Sequence, residues 1–391
     1  MKLLHLADLH LGKTLMEAPL LEEQAAILDS LLDYTGSYEV NAILLAGDLY
    51  DRSVPPAEAV ELFDRFLSAL AERGIPVLAA AGNHDSPERL SFGSRLFTKS
   101  GVHIAGRYHP ALTRVRLSDG HGPVDFTLLP FLRPVEVRAA LNAAPSLFPQ
   151  GEIPAVVHTQ EAVKTALSLC PPEPGVRQVL LAHQFVCAGG RPPETCDSET
   201  PCVGGVEAVD VSCFDGYHYV ALGHIHRPQK VGWDTVRYAG SPLKYSLSEV
   251  QHHKSFPVVT LGAGGVEDIE LVPFRPLHDL RRIRGGLNDL LLAGRDQEDA
   301  EDFLWAVLTG ERVADPAERL RAVYPRLLHV EYERTRRENG PDEEEETDAL
   351  PAKSPLQLFE EFYAAAADHP LTDRQREILR ETAAGLQRRQ D

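Results

Sequence analysis

The first 85 residues alternate short apolar runs with segments of helical periodicity. The runs at 3–7, 42–46 and 75–81 are strand-sized and almost wholly apolar, which indicates strands buried on both faces. Between them, apolar residues recur every three or four positions in 20–32 and 60–70, the spacing of an amphipathic helix. This β-α-β-α-β pattern predicts an α/β fold with a parallel sheet.

Later apolar runs predict further strands and helices. Strands are expected at 102–105, 112–117, 125–130, 178–182, 217–222, 235–238, 256–261 and 267–271, and helices at 134–143 and 158–168. We expect the strands between 233 and 272 to form a second sheet that completes a layered sandwich. The Gly/Pro-rich loop 188–205 is long enough to suggest a functional role.

The C-terminal part of the chain has a different organisation. Residues 276–335 read strand, helix, strand, helix, strand, which predicts a small α+β capping domain. The acidic stretch that follows predicts a linker, and two segments with capping-box starts predict a pair of helices. The apolar face of the first helix suggests docking on a partner, or packing back on its own chain. The predicted divisions are 1–275, 276–335, 336–353 and 354–391.

Composition narrows the functional classes. The 391 residues carry a formal charge of −19 and are 43% hydrophobic. This charge argues against a protein that coats nucleic acid through its overall field, but not against a nuclease with a local metal centre. The apolar runs are too short for a membrane span, and the N-terminus enters a strand without a leader pattern. The five cysteines include no C-x-x-C pair, so we expect reduced thiols and a cytoplasmic protein.

Five predicted strands end in metal-binding or proton-transferring residues. Ligands of open α/β sheets lie beyond the carboxyl ends of the strands, so we expect these side chains to converge. The candidate metal ligands are Asp8, His10, Asp48, Asn83, His183, His224 and His226. Seven ligands are too many for one tetrahedral ion and suit two ions, with Asp48 as the best candidate for a bridging carboxylate. Four imidazoles favour manganese, iron or zinc over magnesium, and two carboxylates leave a positive centre that suits an anionic phosphodiester.

The motifs around these residues resemble the calcineurin-like metallophosphoesterases. Over about residues 1–275, the chain is similar to the SbcD-like nuclease subunits of bacterial SbcCD complexes. The resemblance rests on His5-Leu6-Ala7-Asp8-Leu9-His10-Leu11-Gly12-Lys13, Gly47-Asp48-x-x-Asp51, Gly82-Asn83-His84-Asp85-Ser86-Pro87, His183, Gly223-His224-x-His226 and Tyr238-Ala239-Gly240-Ser241-Pro242. It implies a four-layer α/β/β/α sandwich with a small α+β capping domain and a C-terminal helical pair.

The resemblance also implies a ligand set and an activity. Both ions would be manganese, one held by Asp8, His10, Asp48 and His226, and the other by Asp48, Asn83, His183 and His224. The activity would be exonuclease cleavage of double-stranded DNA ends and endonuclease cleavage of single-stranded or hairpin DNA. The implied setting is DNA repair, recombination and replication in the cytoplasm.

The implied partner is an SbcC-like coiled-coil ATPase, which would bind the terminal helices and act with a homodimer of this chain in a heterotetramer. The capping domain would help to place DNA. There, Arg281, Arg282 and Arg284 alternate with apolar residues and either meet phosphates or lie on a solvated strand face.

His84 is the candidate proton donor. Neighbouring side chains in an extended segment point to opposite sides, so Asn83 and His84 are not expected to bind the same ion. A histidine near the metals but free of them suits protonation of the leaving oxygen. Asp51 is expected to accept the other ring N–H and fix the tautomer.

Two other functions remain open on the sequence. A phosphatase or small-molecule phosphodiesterase would have the same fold but would need no cap and no docking segment. A non-catalytic adaptor that binds DNA ends could dispense with metal ligands, whereas this chain has all seven and His84.

Overall fold

The structure is a computed structural model that describes residues 1–148, 153–199, 207–296, 298–333, 372 and 374–376. Contacts divide the chain into two compact units, Met1–Glu333 and Arg334–Asp391. In the second unit, the main-chain N–H of Thr372 donates to Gln375 Oε1 at 2.9 Å, and that of Gln375 to Thr372 Oγ1 at 3.4 Å. This is the capping box predicted there. The predicted linker 336–353 and the rest of 354–391 lie outside the described residues.

The first unit contains strands that are numbered in chain order. They are β1 Lys2–Leu6, β2 Thr14–Leu15, β3 Ala18–Pro19, β4 Ala42–Ala46, β5 Val77–Ala80, β6 Val102–Ala105, β7 Thr113–Asp119, β8 Gly122–Leu129, β9 Arg177–His183, β10 Val186–Cys187, β11 Val209–Asp210, β12 Tyr219–Gly223, β13 Gln229–Val231, β14 Trp233–Tyr238, β15 Ser255–Gly262, β16 Gly265–Pro273, β17 Leu280–Gly285, β18 Phe303–Leu308 and β19 Leu327–Tyr332.

The helices of the same unit are numbered likewise. They are α1 Leu21–Ser37, α2 Ala57–Glu72, α3 Pro87–Ser91, α4 Ser94–Phe97, α5 Pro134–Ala143, α6 Thr159–Ser168, α7 Leu287–Ala293 and α8 Pro316–Arg321. Among the described residues, no helix is long and apolar enough to cross a membrane.

Two six-stranded sheets form the body of the unit. The first has the order β16-β15-β1-β4-β5-β6, and the second has the order β13-β14-β12-β9-β8-β7. The strands β1, β4, β5 and β6 are parallel, as the β-α-β-α-β pattern predicts. In the second sheet β9 and β12 are parallel neighbours, with His183 beside Gly223 at their carboxyl ends.

One prediction about the sheets is wrong. Only β13 and β14 of the region 229–273 join the second sheet, because β15 pairs antiparallel with β1 and β16 pairs with β15. The hairpin therefore covers the free edge of the N-terminal strand. Pairing between Leu3 and Val259 is set by residues far apart in sequence, so local periodicity carries no signal for it.

The sheets and helices stack in four layers, α/β/β/α, as expected. One core lies between α1, α2 and the first sheet, and includes Ile27, Phe66 and Ile43. The second fills the space between the two sheets, and the third lies between the second sheet, α5 and α6. Alternate residues of a central strand face different cores, so every residue of β4 and β9 is buried. This explains their continuous apolar pattern.

Residues 280–332 form a small α+β structure of the kind predicted for a cap. Strands β17, β18 and β19 are parallel, and α7 and α8 cover one face around Leu304, Ala306 and Leu308. Its start is joined to the body, because His278 Nδ1 lies 2.6 Å from the buried carboxylate of Glu23 in α1. The boundary at 275/276 stays a prediction.

Candidate metal centre

Seven polar side chains follow the carboxyl ends of β1, β4, β5, β9 and β12. The parallel register of these strands brings their ends to one edge of the two facing sheets. The seven are the predicted ligands Asp8, His10, Asp48, Asn83, His183, His224 and His226. Short contacts between their nitrogen and oxygen atoms join all of them into one cluster.

One half of the cluster contains Asp8, His10 and His226. Each of these buried residues offers a ligand atom within 4.8 Å of those of the other two. The Nε2 atoms of His10 and His226 are 3.2 Å apart, and His10 Nε2 lies 3.6 Å from Asp48 Oδ2. Two imidazole nitrogens and carboxylate oxygens therefore face a common point.

The other half contains Asp48, Asn83, His183 and His224. Asn83 Oδ1 lies 3.0 Å from His183 Nε2 and 3.0 Å from His224 Nδ1. Asp48 Oδ2 lies 3.3 Å from His183 Nε2. Since the same oxygen also faces His10, the Asp48 carboxylate stands between the two halves, which suits a bridging ligand.

The donor atoms fit divalent cations. Asp8 Oδ2 is buried and has no hydrogen-bond partner among the described residues, while Asp8 Oδ1 accepts the main-chain N–H of His224 at 2.9 Å. A buried carboxylate oxygen without a partner is costly unless a cation pairs with it. His183 Nδ1 lies 2.8 Å from the carbonyl oxygen of Ala46. A carbonyl only accepts, so Nδ1 carries a proton, and Nε2 is the ring nitrogen that faces the site.

The histidines of the cluster differ in their pKa values. Burial lowers the pKa of His224 and of His226 to about 3, so both rings are neutral at neutral pH. Burial opposes protonation of His183 too, but the facing Asp48 carboxylate outweighs it and raises the pKa to about 9. Burial raises the pKa of Asp8 well above its ordinary value, and Asp48 adds to this although His183 opposes it. Cations must therefore displace protons from this site.

Comparison with known proteins decides the family. Residues 1–228 match the family model described as calcineurin-like phosphoesterase, which is more than half of the chain. The chain belongs to the calcineurin-like phosphoesterase family. Members of this family use a dimetal centre, and the cluster of seven side chains lies within the matched residues. Metal-dependent phosphoester hydrolysis follows from this membership.

The capping region matches a second model. Residues 276–367 match the SbcD_C model, which is described as Type 5 capsule protein repressor C-terminal domain. The two domains in one chain support the resemblance to SbcD-type nucleases.

Solved structures with similarity to the chain include a dimetal phosphatase from Danio rerio, at 13% identity and a TM-score of 0.38. Another is the protein TT1561 of Thermus thermophilus, at 14% identity and a TM-score of 0.39. Each similarity covers 70% of this chain and 99% of the other.

Several candidate ligands of this phosphoesterase site have strained main chains. The φ angles of Asp8, His10, Asp48 and His224 are 54°, 43°, 50° and 106°, a region that side chains with a Cβ rarely adopt. Gly82 and Gly223 allow close approach, because a Cβ would overlap the Asp48 carboxylate at the first and the Ala46 carbonyl oxygen at the second. The glycines of the two sequence motifs therefore have a steric role.

Residues outside the ligand set hold these turns. Gln24 Nε2 donates to the carbonyl oxygens of Leu9 and His10 at 3.1 and 2.7 Å, and the Tyr245 hydroxyl donates to Leu9 at 2.6 Å. Neither residue could be found from the sequence, because Gln24 lies in a helix and Tyr245 in a loop without a motif.

Asp85, which the sequence analysis gave no role, ties two ligand loops together. Its carboxylate accepts main-chain N–H groups of Leu49, Tyr50 and Gly82 at 3.2, 3.0 and 2.9 Å. Burial, helped by the Asp48 charge and opposed by these hydrogen bonds, raises its pKa to about 6.

His84 lies beside the centre in a partly exposed position. Its main-chain N–H donates to Asp48 Oδ1 at 2.9 Å, and its ring is 4.8 Å from that of His10 between centroids. Its Nδ1 lies 2.9 Å from the main-chain carbonyl oxygen of Asp51, so Nδ1 carries a proton and this contact leaves Nε2 unengaged.

The geometry predicted for Asp51 is wrong. Its carboxylate faces Lys13 Nζ at 2.7 Å and His10 Nδ1 at 3.4 Å, and does not contact the His84 ring. The main chain of Asp51 orients His84 instead. The Asp51 carboxylate instead pairs with Lys13 and lies next to His10, a predicted metal ligand.

The three arginines of the cap do not share a face. Arg281 pairs with Asp302 at 2.6 Å and with Asp299 at 2.9 Å. Arg282 and Arg284 lie on the opposite face of β17, where Arg282 stacks over the Trp305 ring at 4.5 Å. Both also have acidic neighbours, Glu331 at 3.4 Å and Glu333 at 2.8 Å. The continuous basic strand expected from the sequence is therefore divided between two faces.

Proposed function

We propose that this chain is a two-metal DNA nuclease of the SbcD type, with manganese as its ions. It would act as an exonuclease on double-stranded ends and as an endonuclease on single-stranded or hairpin DNA, in repair and recombination in the cytoplasm. The observation that carries the proposal is the convergence of seven nitrogen and oxygen ligands in a phosphoesterase domain followed by an SbcD_C domain.

The proposed ligands divide as the two halves of the cluster do. Asp8, His10, Asp48 and His226 would hold one ion, and Asp48, Asn83, His183 and His224 the other. Four imidazoles support manganese over magnesium, which prefers carboxylates and water. When bound, the ions would activate water and stabilise the charge that develops on the phosphate.

The side chains near the ions would orient and protonate the substrate. His84 is partly exposed beside the cluster, so its Nε2 would meet a phosphodiester that arrives from solvent. Protonated on this nitrogen, His84 would donate to the leaving oxygen while the Asp51 carbonyl holds Nδ1. Asp51 therefore enters the proposal as an orienting residue.

DNA would approach from the cap by way of Arg282 and Arg284. These two side chains share one face of the cap sheet, and the Arg282 guanidinium lies over the Trp305 ring at 4.5 Å, a favourable cation–π contact. Arg281 is not included, because it lies on the other face of β17, where it pairs with two carboxylates, those of Asp299 and Asp302.

The proposed partner is an SbcC-like coiled-coil ATPase that binds residues 354–391. A second copy of this chain would pack on an apolar patch of Val60, Phe92, Leu96 and Phe97. These side chains are 43%, 81%, 70% and 41% exposed, and three of them line a groove of about 240 Å³. Exposed apolar patches of this kind mark protein interfaces.

Cleavage of an end-labelled DNA hairpin tests the function. We expect metal-stripped protein to cleave with added manganese and poorly with magnesium, and residues 1–353 to keep basal cleavage but lose the ATPase partner. Equal rates in magnesium alone would contradict the choice of metal. Turnover of bis-p-nitrophenyl phosphate without any DNA cleavage would instead favour the second candidate, a phosphatase or small-molecule phosphodiesterase, which the shared phosphoesterase domain also fits.

A further inference from the structure

Part of the long loop predicted at 188–205 lies against the segment that carries His226. The main-chain N–H of Glu194 donates to Gln229 Oε1 at 3.0 Å, and Gln229 Nε2 donates back to the Glu194 carbonyl at 2.8 Å. Further along the loop, Asp197 N–H donates to Ser248 Oγ at 3.0 Å. These contacts attach the loop to two segments of the chain that follow His226, at Gln229 and at Ser248.

The loop contacts His226 at two points. Ser198 Oγ lies 2.7 Å from His226 Nδ1, and Glu199 Oε1 accepts the main-chain N–H of His226 at 2.6 Å. Ser198 Oγ in turn lies 2.6 Å from Glu249 Oε1. His226 is thus held by its ring and by its main chain.

The direction of these hydrogen bonds fixes the tautomer. Glu249 is fully buried and pairs with Lys254 Nζ at 2.5 Å, so its carboxylate is an acceptor. The Ser198 hydroxyl therefore donates to Glu249 and accepts from His226 Nδ1–H. With the proton on Nδ1, the Nε2 lone pair faces His10 Nε2, 3.2 Å away, in the metal cluster.

His183 achieves the same tautomer in a different way. Its Nδ1 donates to the main-chain carbonyl of Ala46, which no substitution of a side chain removes directly. Only the half of the cluster that contains His226 depends on this serine and glutamate. The two metal positions are therefore supported unequally.

We propose that Ser198 and Glu249 are positioning residues that set the His226 tautomer and so control occupancy of the metal position formed with Asp8 and His10. The proposal rests on the proposed two-metal centre. The loop would then have a function, because its Ser198 holds a ligand of one ion in the orientation that binding requires.

Manganese binding to the metal-stripped full chain tests this. In Ser198→Ala, we expect the affinity of one ion to fall about 10–100-fold and the other to stay unchanged. Paramagnetic resonance should then show an isolated ion at manganese levels that give a coupled pair in the parent. Ser198→Thr keeps the hydroxyl and should restore the pair. Ser168→Ala, at an exposed position of α6 where the hydroxyl donates to the carbonyl oxygen of Thr165 in the same helix, should match the parent.

Other results would overturn either this proposal or the two-metal centre on which it rests. Two ions of parental affinity in Ser198→Ala would overturn the proposal, as would equal weakening of both ions. Failure of the parent to bind a coupled pair would instead overturn the two-metal centre itself. Thermal unfolding of the metal-stripped variants should match the parent, and a large loss of stability in Ser198→Ala would assign the serine a structural role.

Discussion

Replacing His84 with alanine should slow DNA cleavage far more than cleavage of an activated phosphodiester. The Asp51 carbonyl engages Nδ1 at 2.9 Å, so the Nε2 of a protonated ring is the donor available to a leaving oxygen. A positioned acid contributes about 10²–10⁴-fold. At about 1.4 kcal/mol per tenfold, this is roughly 3–5 kcal/mol of activation free energy. A DNA alkoxide needs that proton, whereas p-nitrophenolate leaves readily without it.

Single-turnover cleavage with saturating manganese provides the assay. We expect His84→Ala to lose at least about 100-fold on hairpin DNA but less than about tenfold on bis-p-nitrophenyl phosphate. Bound metal, measured by elemental analysis, should stay at the parental level. His121→Ala, at an exposed turn between β7 and β8, is the matched control and should behave as the parent.

Two results would refute the reasoning. A loss on DNA within about threefold falls below the range for a positioned acid. Equal losses on both substrates would show that His84 acts on something other than the leaving oxygen. If metal is lost, His84 is a ligand, which its position within 4.8 Å of ligand atoms of His10 and Asp48 would explain.

Three further predictions concern the ions and the dimer. Asp48→Asn should weaken the binding of both ions, and Asp8→Asn mainly that of one. Anomalous scattering from two fully occupied metal positions in Asp48→Asn would contradict the bridging role. Manganese binding at pH 7.5 should release at least one proton, because the pKa of His183 is about 9 before metal binds. Calorimetry in buffers of different ionisation enthalpy should show affinity falling as pH decreases, and the absence of proton release would disprove this. Phe92→Glu should convert a dimer to a monomer in sedimentation, whereas Val135→Glu, at an exposed position of α5, should not. A dimer that survives Phe92→Glu would place the interface elsewhere.

The sequence predicted the layers and the convergence of the seven candidate ligands for one physical reason. Buried parallel strands leave continuous apolar runs, and their carboxyl ends must meet at one edge of a sheet. The polar residue after each run could therefore be placed without coordinates. The hairpin of β15 and β16 could not be placed, because its pairing with β1 depends on contacts across more than 250 residues of chain.

The supporting residues left no comparable signal. Ser198 lies in a loop and Glu249 ends a short 3-10 helix, neither of which has a motif. Gln24 lies on an amphipathic helix, where a buried amide resembles any other polar position. The side chain of Asp51 was assigned from sequence proximity, but Lys13 competes for its carboxylate, and such competition between partners appears only in three dimensions.

The strained turns at the proposed ligands depend on hydrogen bonds from residues outside the ligand set. Each left-handed residue other than glycine costs on the order of 1–3 kcal/mol. The structure has four such residues among the proposed ligands. Gln24 and Tyr245 donate compensating hydrogen bonds to main-chain carbonyl oxygens, and the Asp85 carboxylate accepts main-chain N–H groups. These bonds do not involve the proposed ligand atoms. The fold therefore offsets the cost of the turns and holds the carboxylate of Asp8 and the imidazoles facing one another. Local propensity fails at these positions because their conformation serves the site.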